Sequence, residues 1–352
     1  MYSMRTTKRS SIVCKLMYTK MNPIFIIVLC IVVVFVFAML FSGRNQDISG
    51  LLKSVAKIQI EEHNMKVIYE FNANSCLFVG DIRGDLMSLM IALDKYKSFK
   101  KVDPTCHIVF LGDYTGGGPQ NVKCLETIMK LKKDDPLYVH LCRGNHETTD
   151  DTEDNSVYPE LVQKYGQQRA SEIYQDVGYF YASLSPMLII NRNTLCCHGM
   201  IPNGITRDST FKFTSEMRED PTLLNITWSN YPAPIAEDRE YGQNVAPKEL
   251  FERCYELHVT KIIKAHDYSG SGNRLSGSGI DVNIITSSIW KGLRSTFYKY
   301  SDVGTPTKEI RPDPQNVSKY ITCAFMKDNK ISYSPYLEYD DKVYLQSLGF
   351  ST

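Results

Sequence analysis

Net charge is nearly missing from this chain. Forty basic and 39 acidic residues leave a formal +1 over 352 residues, so no global argument for a nucleic-acid partner exists. Internal repeats at solenoid spacing and low-complexity tracts are also missing, which excludes a repeat array. The ten cysteines include no CxxC pair and no tightly spaced framework, and no GxGxxG follows an apolar run. What is present suits a globular body: 43% hydrophobic and 22% charged residues, enough to bury a sizeable core without disulfides.

The front of the chain is different. Arg5, Lys8, Arg9, Lys15 and Lys20 stand with no acid among them, and Ile24 to Phe41 then form eighteen consecutive residues with no polar side chain beyond Cys30. As a helix this run spans ~27 Å, close to the hydrocarbon core of a bilayer. It is apolar on every face, and Asn22 with Pro23 gives it a helix start. The flanking charge after it, Arg44, Asp47, Lys53 and Lys57, is weaker and mixed. The positive-inside rule therefore puts the amino terminus in the cytosol and the remainder in a lumen or outside the cell, as a single-pass type II anchor. A cleaved signal peptide competes, although the long leader and the exit AMLFSG fit it poorly. Sequons at Asn225 and Asn316 permit glycosylation in a lumen. Cys196 and Cys197, inside a strand-like run, read as buried small hydrophobes.

Five side chains of metal-ligand type each end an apolar, strand-like run: Asp81 in LFVGD, Asp113 in IVFLGD, Asn145 in LCRGNHE, His198 in LCCHG and His266 in IIKAHD. One such residue alone is more often structural. Five in a chain with seven histidines point to a shared crevice at the carboxyl ends of strands. Mixed oxygen and nitrogen donors suit manganese, iron or zinc better than calcium. A pair of such ions about 3.5 to 4 Å apart clamps a phosphate ester and acidifies a bound water.

The spaced motifs GDIRG (Gly80 to Gly84), GDYTGGG (Gly112 to Gly118) and GNHE (Gly144 to Glu147) resemble the GDxHG, GDxxDRG and GNHE signatures of serine/threonine phosphoprotein phosphatases. These belong to the calcineurin-like metallophosphoesterase superfamily. The likeness runs through LSPMLIINRNTLCCHG, TWSN and IIKAHD, over roughly residues 50 to 345. It implies Asp81 and Asp113 in a first metal site, Asp113 shared with a second site completed by Asn145, His198 and His266, and His146 as general acid. Arg239 falls where the family keeps a phosphate-binding arginine.

The departures are as informative. Arg83 stands where the family has a histidine ligand, and a guanidinium offers five donors and no acceptor. Either the first site holds metal weakly through Asp81 and Asp113, or Arg83 itself fills the place as a positive charge, where it could also meet substrate. Gly116 and Gly117 replace an Asp-Arg pair that orients the imidazole and grips phosphate. Met200 replaces a glycine beside His198, and TSSIW (Thr286 to Trp290) resembles a diverged active-site loop in which Trp290 takes the place of a tyrosine.

Strand-like and helical patterns alternate along the chain. KVIYEF, SCLFVG, CHIVFLG and LYVHLC read as strands; Asp85 to Tyr96, Val122 to Leu131, Leu161 to Tyr174 and Pro247 to Leu257 read as helices. Asp150 to Asp154 reads as a solvated acidic turn and Ser269 to Gly279 as a Gly/Ser loop. Ser295 to Tyr300 and Tyr320 to Ser334 read as edge strands. The expected organisation is a basic segment (1–22), a transmembrane helix (23–42), a juxtamembrane linker or helix (43–64) and a phosphatase-like domain (65–345). The expected fold class is α/β, an α/β/β/α sandwich of two central mixed sheets flanked by helices. The expected function is phosphomonoester hydrolysis with one or two divalent ions (Mn, Fe or Zn). The partner is a phosphoprotein substrate or a regulatory protein, with the membrane reached through the N-terminal helix and no nucleic acid. The same residues also fit a silent phosphoprotein-binding pseudophosphatase, or a hydrolase of a small phosphorylated metabolite.

Overall fold

The structure is a computed structural model that describes residues 48–147, 157–211, 220–229, 242–243, 245–266, 273–275, 281–284, 320–327 and 330–338. Among these residues no helix is long and apolar enough to cross a membrane. The segment 23–42 expected to do so lies outside them, as do Asp150 to Asp154, Thr286 to Trp290, Ser295 to Tyr300 and Asn316.

Two mixed sheets form the centre. Strands β1 (Ile68–Phe71), β5 (Met187–Ile190), β6 (Thr194–Cys197), β7 (Lys261–Lys264), β9 (Asp281–Ile284) and β8 (Asn273–Leu275) lie in that order in one sheet. The other runs β11 (Lys330–Glu338), β10 (Tyr320–Lys327), β2 (Ser75–Val79), β3 (His107–Phe110), β4 (Val139–Leu141). Strands β2, β3 and β4 are parallel neighbours, as are β6, β7 and β9, so their carboxyl ends within each sheet open to one side.

Side-chain alternation explains the layers. In β2, Cys76 and Phe78 point between the sheets and meet Leu188, Ile190, Cys196 and Ile263 from the facing sheet. Leu77 and Val79 point the other way, into a core shared with the helices. Both faces of β2 are therefore covered, and all five of its residues are buried. A third cluster packs Met187, Ile189, Leu195 and Cys197 with Ile226 and Leu250 on the far side of the first sheet. Burial at this depth keeps Cys76, Cys142 and Cys196 as thiols, each pushed up in pKa by desolvation.

Helix α1 (Ile48–His63) buries Ile48, Leu51, Leu52, Val55 and Ala56 on one face. It packs on α3 (Asn121–Asp134) and α5 (Gln167–Ala182). Residues 48–63 of the segment anticipated as a juxtamembrane linker or helix thus form a helix built into the core. Helix α2 (Leu86–Val102) starts at Asp85, whose carboxylate accepts the Ser88 N–H at 3.0 Å.

Three expectations are corrected. Leu161 to Tyr174 is not one helix but parts of α4 (Val157–Tyr165) and α5, separated by Gly166 at φ +78°. The Gly/Ser loop contains β8, paired antiparallel with β9. The tail Tyr320 to Ser334 is not edge throughout: β10 lies between β2 and β11, with Ala324 opposite Phe78, while β11 ends the sheet among the described residues.

Candidate metal centre

The five predicted ligands follow β2, β3, β4, β6 and β7, and the folded chain brings them together. Three turns make this possible. Asp113 (φ +55°), His266 (φ +72°) and Arg83 (φ +56°) all hold left-handed backbone, which L side chains adopt only where the surroundings impose it. The second and third motifs interlock at Gly144, where an added Cβ would stand 2.3 Å from Asp113 Oδ1 and 2.4 Å from Asp113 N. The Ile82 and Arg83 N–H groups both donate to the Asp113 carbonyl at 2.9 Å, tying the first motif to the second.

Asn145 Oδ1 lies 2.8 Å from His198 Nε2 and 2.9 Å from His266 Nδ1. His198 Nε2 is 3.3 Å from Asp113 Oδ2. His198 Nδ1 donates to the Leu111 carbonyl at 2.9 Å, which leaves the Nε2 lone pair facing the cluster. Acceptors converging this closely repel unless a proton or a cation lies among them. Asp113 Oδ2 is buried in the same cluster, 3.3 Å from His198 Nε2 and 2.8 Å from Arg83 Nη2. Asp81 Oδ2 is buried likewise, and Asp81 Oδ1 accepts the His266 N–H at 3.2 Å. Candidate donor atoms of Asp81, Asp113 and His198 all lie within 4.8 Å of one another. The donor set around Asn145 therefore fits a divalent ion.

The electrostatics agree. Burial alone would push Asp113 up, but Arg83, His198 and His146 hold it well below the ordinary carboxylate range. Asp81 is raised by burial and by the Asp113 charge. Burial lowers His198, yet Asp113 and Asp81 leave it raised overall.

His146 is half-buried, its N–H donating to Asp113 Oδ1 at 3.0 Å. Its ring lies 6.5 Å from the Trp228 ring, which also meets His266 edge-on at 5.9 Å. A Cβ on Gly116 would stand 3.2 Å from His146 Nδ1, so the position that carries an orienting carboxylate in the resembling phosphatases does face the imidazole here. The aromatic beside the centre is Trp228; Trp290 lies outside the described residues, as does Arg239. Met200 joins the apolar cluster with Leu195 and Ile226.

Glu147 was not singled out by sequence. Its buried carboxylate accepts the N–H groups of Asp113 (2.6 Å), Tyr114 (2.9 Å) and Gly144 (2.8 Å), and burial and the Asp113 charge push it up to about 7. An acid directly after a ligand and a candidate proton donor was the available signal. Asn121 was missed too: its side chain accepts the Gly116 N–H at 2.9 Å and donates to the Gly118 carbonyl at 2.7 Å, holding the glycine loop.

Known proteins resemble this arrangement. The calcineurin-like phosphoesterase family profile matches residues 75–276. The PP2A-like serine/threonine-protein phosphatase PPG1 of Saccharomyces cerevisiae is 29% identical over 199 residues, covering 50% of this chain and 52% of that protein. The serine/threonine-protein phosphatase SIT4 of Candida albicans is 25% identical over 192 residues, covering 54% of this chain and 59% of its own. This chain thus spans about half the length of such curated relatives. Among solved structures, a protein serine/threonine phosphatase from Saccharomyces cerevisiae superposes with a TM-score of 0.56 at 17% identity, over 86% of this chain and 94% of that one. A cold-active protein-tyrosine phosphatase from Shewanella gives 0.50 at 17%, over 77% and 80%, so these two likenesses concern the fold. With the family profile spanning more than half of the 352 residues, the chain belongs to the calcineurin-like phosphoesterases, as a divergent relative of the serine/threonine protein phosphatases.

Proposed function

We propose that the chain is a metal-dependent phosphomonoesterase acting on phosphoserine or phosphothreonine, slow by the standard of its relatives, and held to a membrane by residues 23–42 with its domain lumenal or extracellular. The observation that carries the catalytic part is the convergence of Asp113 Oδ2, Asn145 Oδ1, His198 Nε2 and His266 Nδ1 beside the half-buried His146. A divalent ion bound there, with manganese the first candidate, polarises phosphoryl oxygens and acidifies a water.

The chain's own residues do the rest. His146 delivers a proton to the leaving serine or threonine oxygen, work that typically contributes about 10²- to 10⁴-fold. Its backbone is fixed by the bond to Asp113. The Trp228 ring stands on one side of the imidazole, 6.5 Å away between centroids. Slowness follows from Gly116 and Gly117: no carboxylate from residue 116 steers His146 Nδ1, and no guanidinium from residue 117 clamps phosphate. Each such loss is worth roughly 2 to 4 kcal/mol by comparison with single electrostatic contacts.

The test is hydrolysis of para-nitrophenyl phosphate and of a phosphothreonine peptide with added manganese, beside His146→Ala. Turnover that vanishes in the variant supports the reading. No turnover above the variant supports a different one, favoured by the same two glycines: a silent binding module for a phosphoprotein or a regulatory protein. Alkaline carbonate extraction of the expressed chain checks the anchor, since an embedded helix stays in the pellet and a peripheral protein is released.

A further inference from the structure

The two halves of the centre do not fit metal equally. The half around Asn145 presents only oxygen and nitrogen acceptors. The other half contains a cation that belongs to the chain: Arg83 Nη2 lies 2.8 Å from Asp113 Oδ2 and Arg83 Nε lies 3.6 Å from Asp81 Oδ2. The side chain is 3% exposed between two fully buried carboxylates.

The placement is built in at the backbone. Arg83 holds φ +56° while its N–H donates to the Asp113 carbonyl at 2.9 Å. The end of the guanidinium meets the missing side chain of residue 116, where an added Cβ would come 3.4 Å from Arg83 Nη1. The two departures noted in the first and second motifs are therefore neighbours in space. An aspartate at 116 would bring a third carboxylate to the same guanidinium and compete with Asp81 and Asp113 for it.

We infer that Arg83 is a permanent internal substitute for the first metal ion, so that the centre takes one divalent ion, at Asp113, Asn145, His198 and His266, where its relatives' motif provides for two. This inference rests on the metal-site part of the proposed function and deepens it. A first ion would have to bind both Asp81 and Asp113 at about 2.0 to 2.2 Å, and the guanidinium takes the place between Asp81 Oδ2 and Asp113 Oδ2, while the second lone pair of Asp113 Oδ2 is left for an ion beside His198 Nε2, 3.3 Å away. A dication beside that fixed positive charge would also be repelled at short range in a buried site. Two carboxylates and one guanidinium sum to a single negative charge, which one divalent ion overcompensates by a single unit. The phosphate pocket is then less positive than with two ions.

Metal stoichiometry tests this without any turnover. The 352-residue chain, stripped by chelator and equilibrated with manganese, should bind one ion, lost in His198→Ala. Arg83→His should bind two, with the exchange-coupled electron paramagnetic resonance signal of a manganese pair. A wild-type stoichiometry of two or of zero overturns the inference, and so does a folded Arg83→His that still binds one. If that variant fails to fold, the wild-type count and its loss in His198→Ala decide the matter alone. Hydrolysis measured on the same samples separates the two claims. One ion without His146-dependent turnover keeps the inference and removes the phosphatase reading, whereas two ions with turnover does the reverse.

Discussion

At the residue scale the centre depends on a carboxylate and a glycine that lie outside the set of metal ligands. Glu147 collects three backbone N–H groups from two different motifs. Leaving a buried donor without an acceptor costs about 1 to 3 kcal/mol. Glu147→Ala is therefore expected to lower unfolding stability by roughly 3 kcal/mol or more, measured as a drop in the urea midpoint at unchanged slope. Gly116→Asp presents a conflict: the new carboxylate would reach His146, but Gly116 holds φ +110°. A strained backbone of that kind costs about 1 to 3 kcal/mol. The variant should melt lower than wild type even if turnover improves, and an unchanged melting temperature would show that the loop relaxes.

At the scale of elements, helices α1 and α3 are joined by a buried ion pair. Lys132, fully buried on α3, donates to both Glu62 oxygens on α1 at 2.6 and 2.7 Å and to the carbonyls of Pro136 and Val139 at 2.9 and 2.7 Å. Burial lowers the ammonium and raises the carboxyl, so each group needs the other to stay charged. Removing one partner of such a pair typically costs about 3 to 5 kcal/mol. Glu62→Ala should approach that value in chemical denaturation, and the double variant Glu62→Leu with Lys132→Met should recover part of the loss. A double variant no better than Glu62→Ala would mean that the two carbonyls, more than the charge pair, set the cost.

At the scale of the whole molecule the two sheets meet through an imidazole stack. His107 of β3 and His140 of β4 bond to each other at 2.9 Å, and His140 stacks on Phe71 of the opposite sheet at 3.7 Å between centroids. Burial, then Lys100, pushes His107 down to about 4; burial, then Lys132 and His107, pushes His140 well below its usual value. The unfolded chain binds these protons at a higher pH than the folded one, so stability rises with pH across this window. It is expected to be complete above about pH 6.5 and to fall as the pH drops toward 4. Urea midpoints at neutral and mildly acid pH check this, with His140→Phe expected to flatten the dependence. An equal slope in that variant would assign the acid loss to other groups.

Much of this protein was fixed before it folded. Asp81, Asp113, Asn145, His198 and His266 could be read as one set because each ends an apolar run, and parallel strands deliver such residues to a common edge. Helices α2 and α3 and the helix Pro247–Glu256 were legible from spacing for the same local reason. Other features needed the third dimension. Two adjacent strand-like runs, β1 and β2, enter different sheets, and a tail strand becomes interior, because strand partners are chosen by surfaces distant in sequence. The duty of Glu147 arises only when the loops after β3 and β4 close on one another. Sequence left open whether Arg83 leaves a weak metal site or fills it. Packing places its guanidinium against Asp113, 30 positions away in sequence, beside the empty side of Gly116. Local pattern thus determined which chemistry the chain carries, and tertiary contact decided which charge sits where, since electrostatic neighbours are set by distance in space.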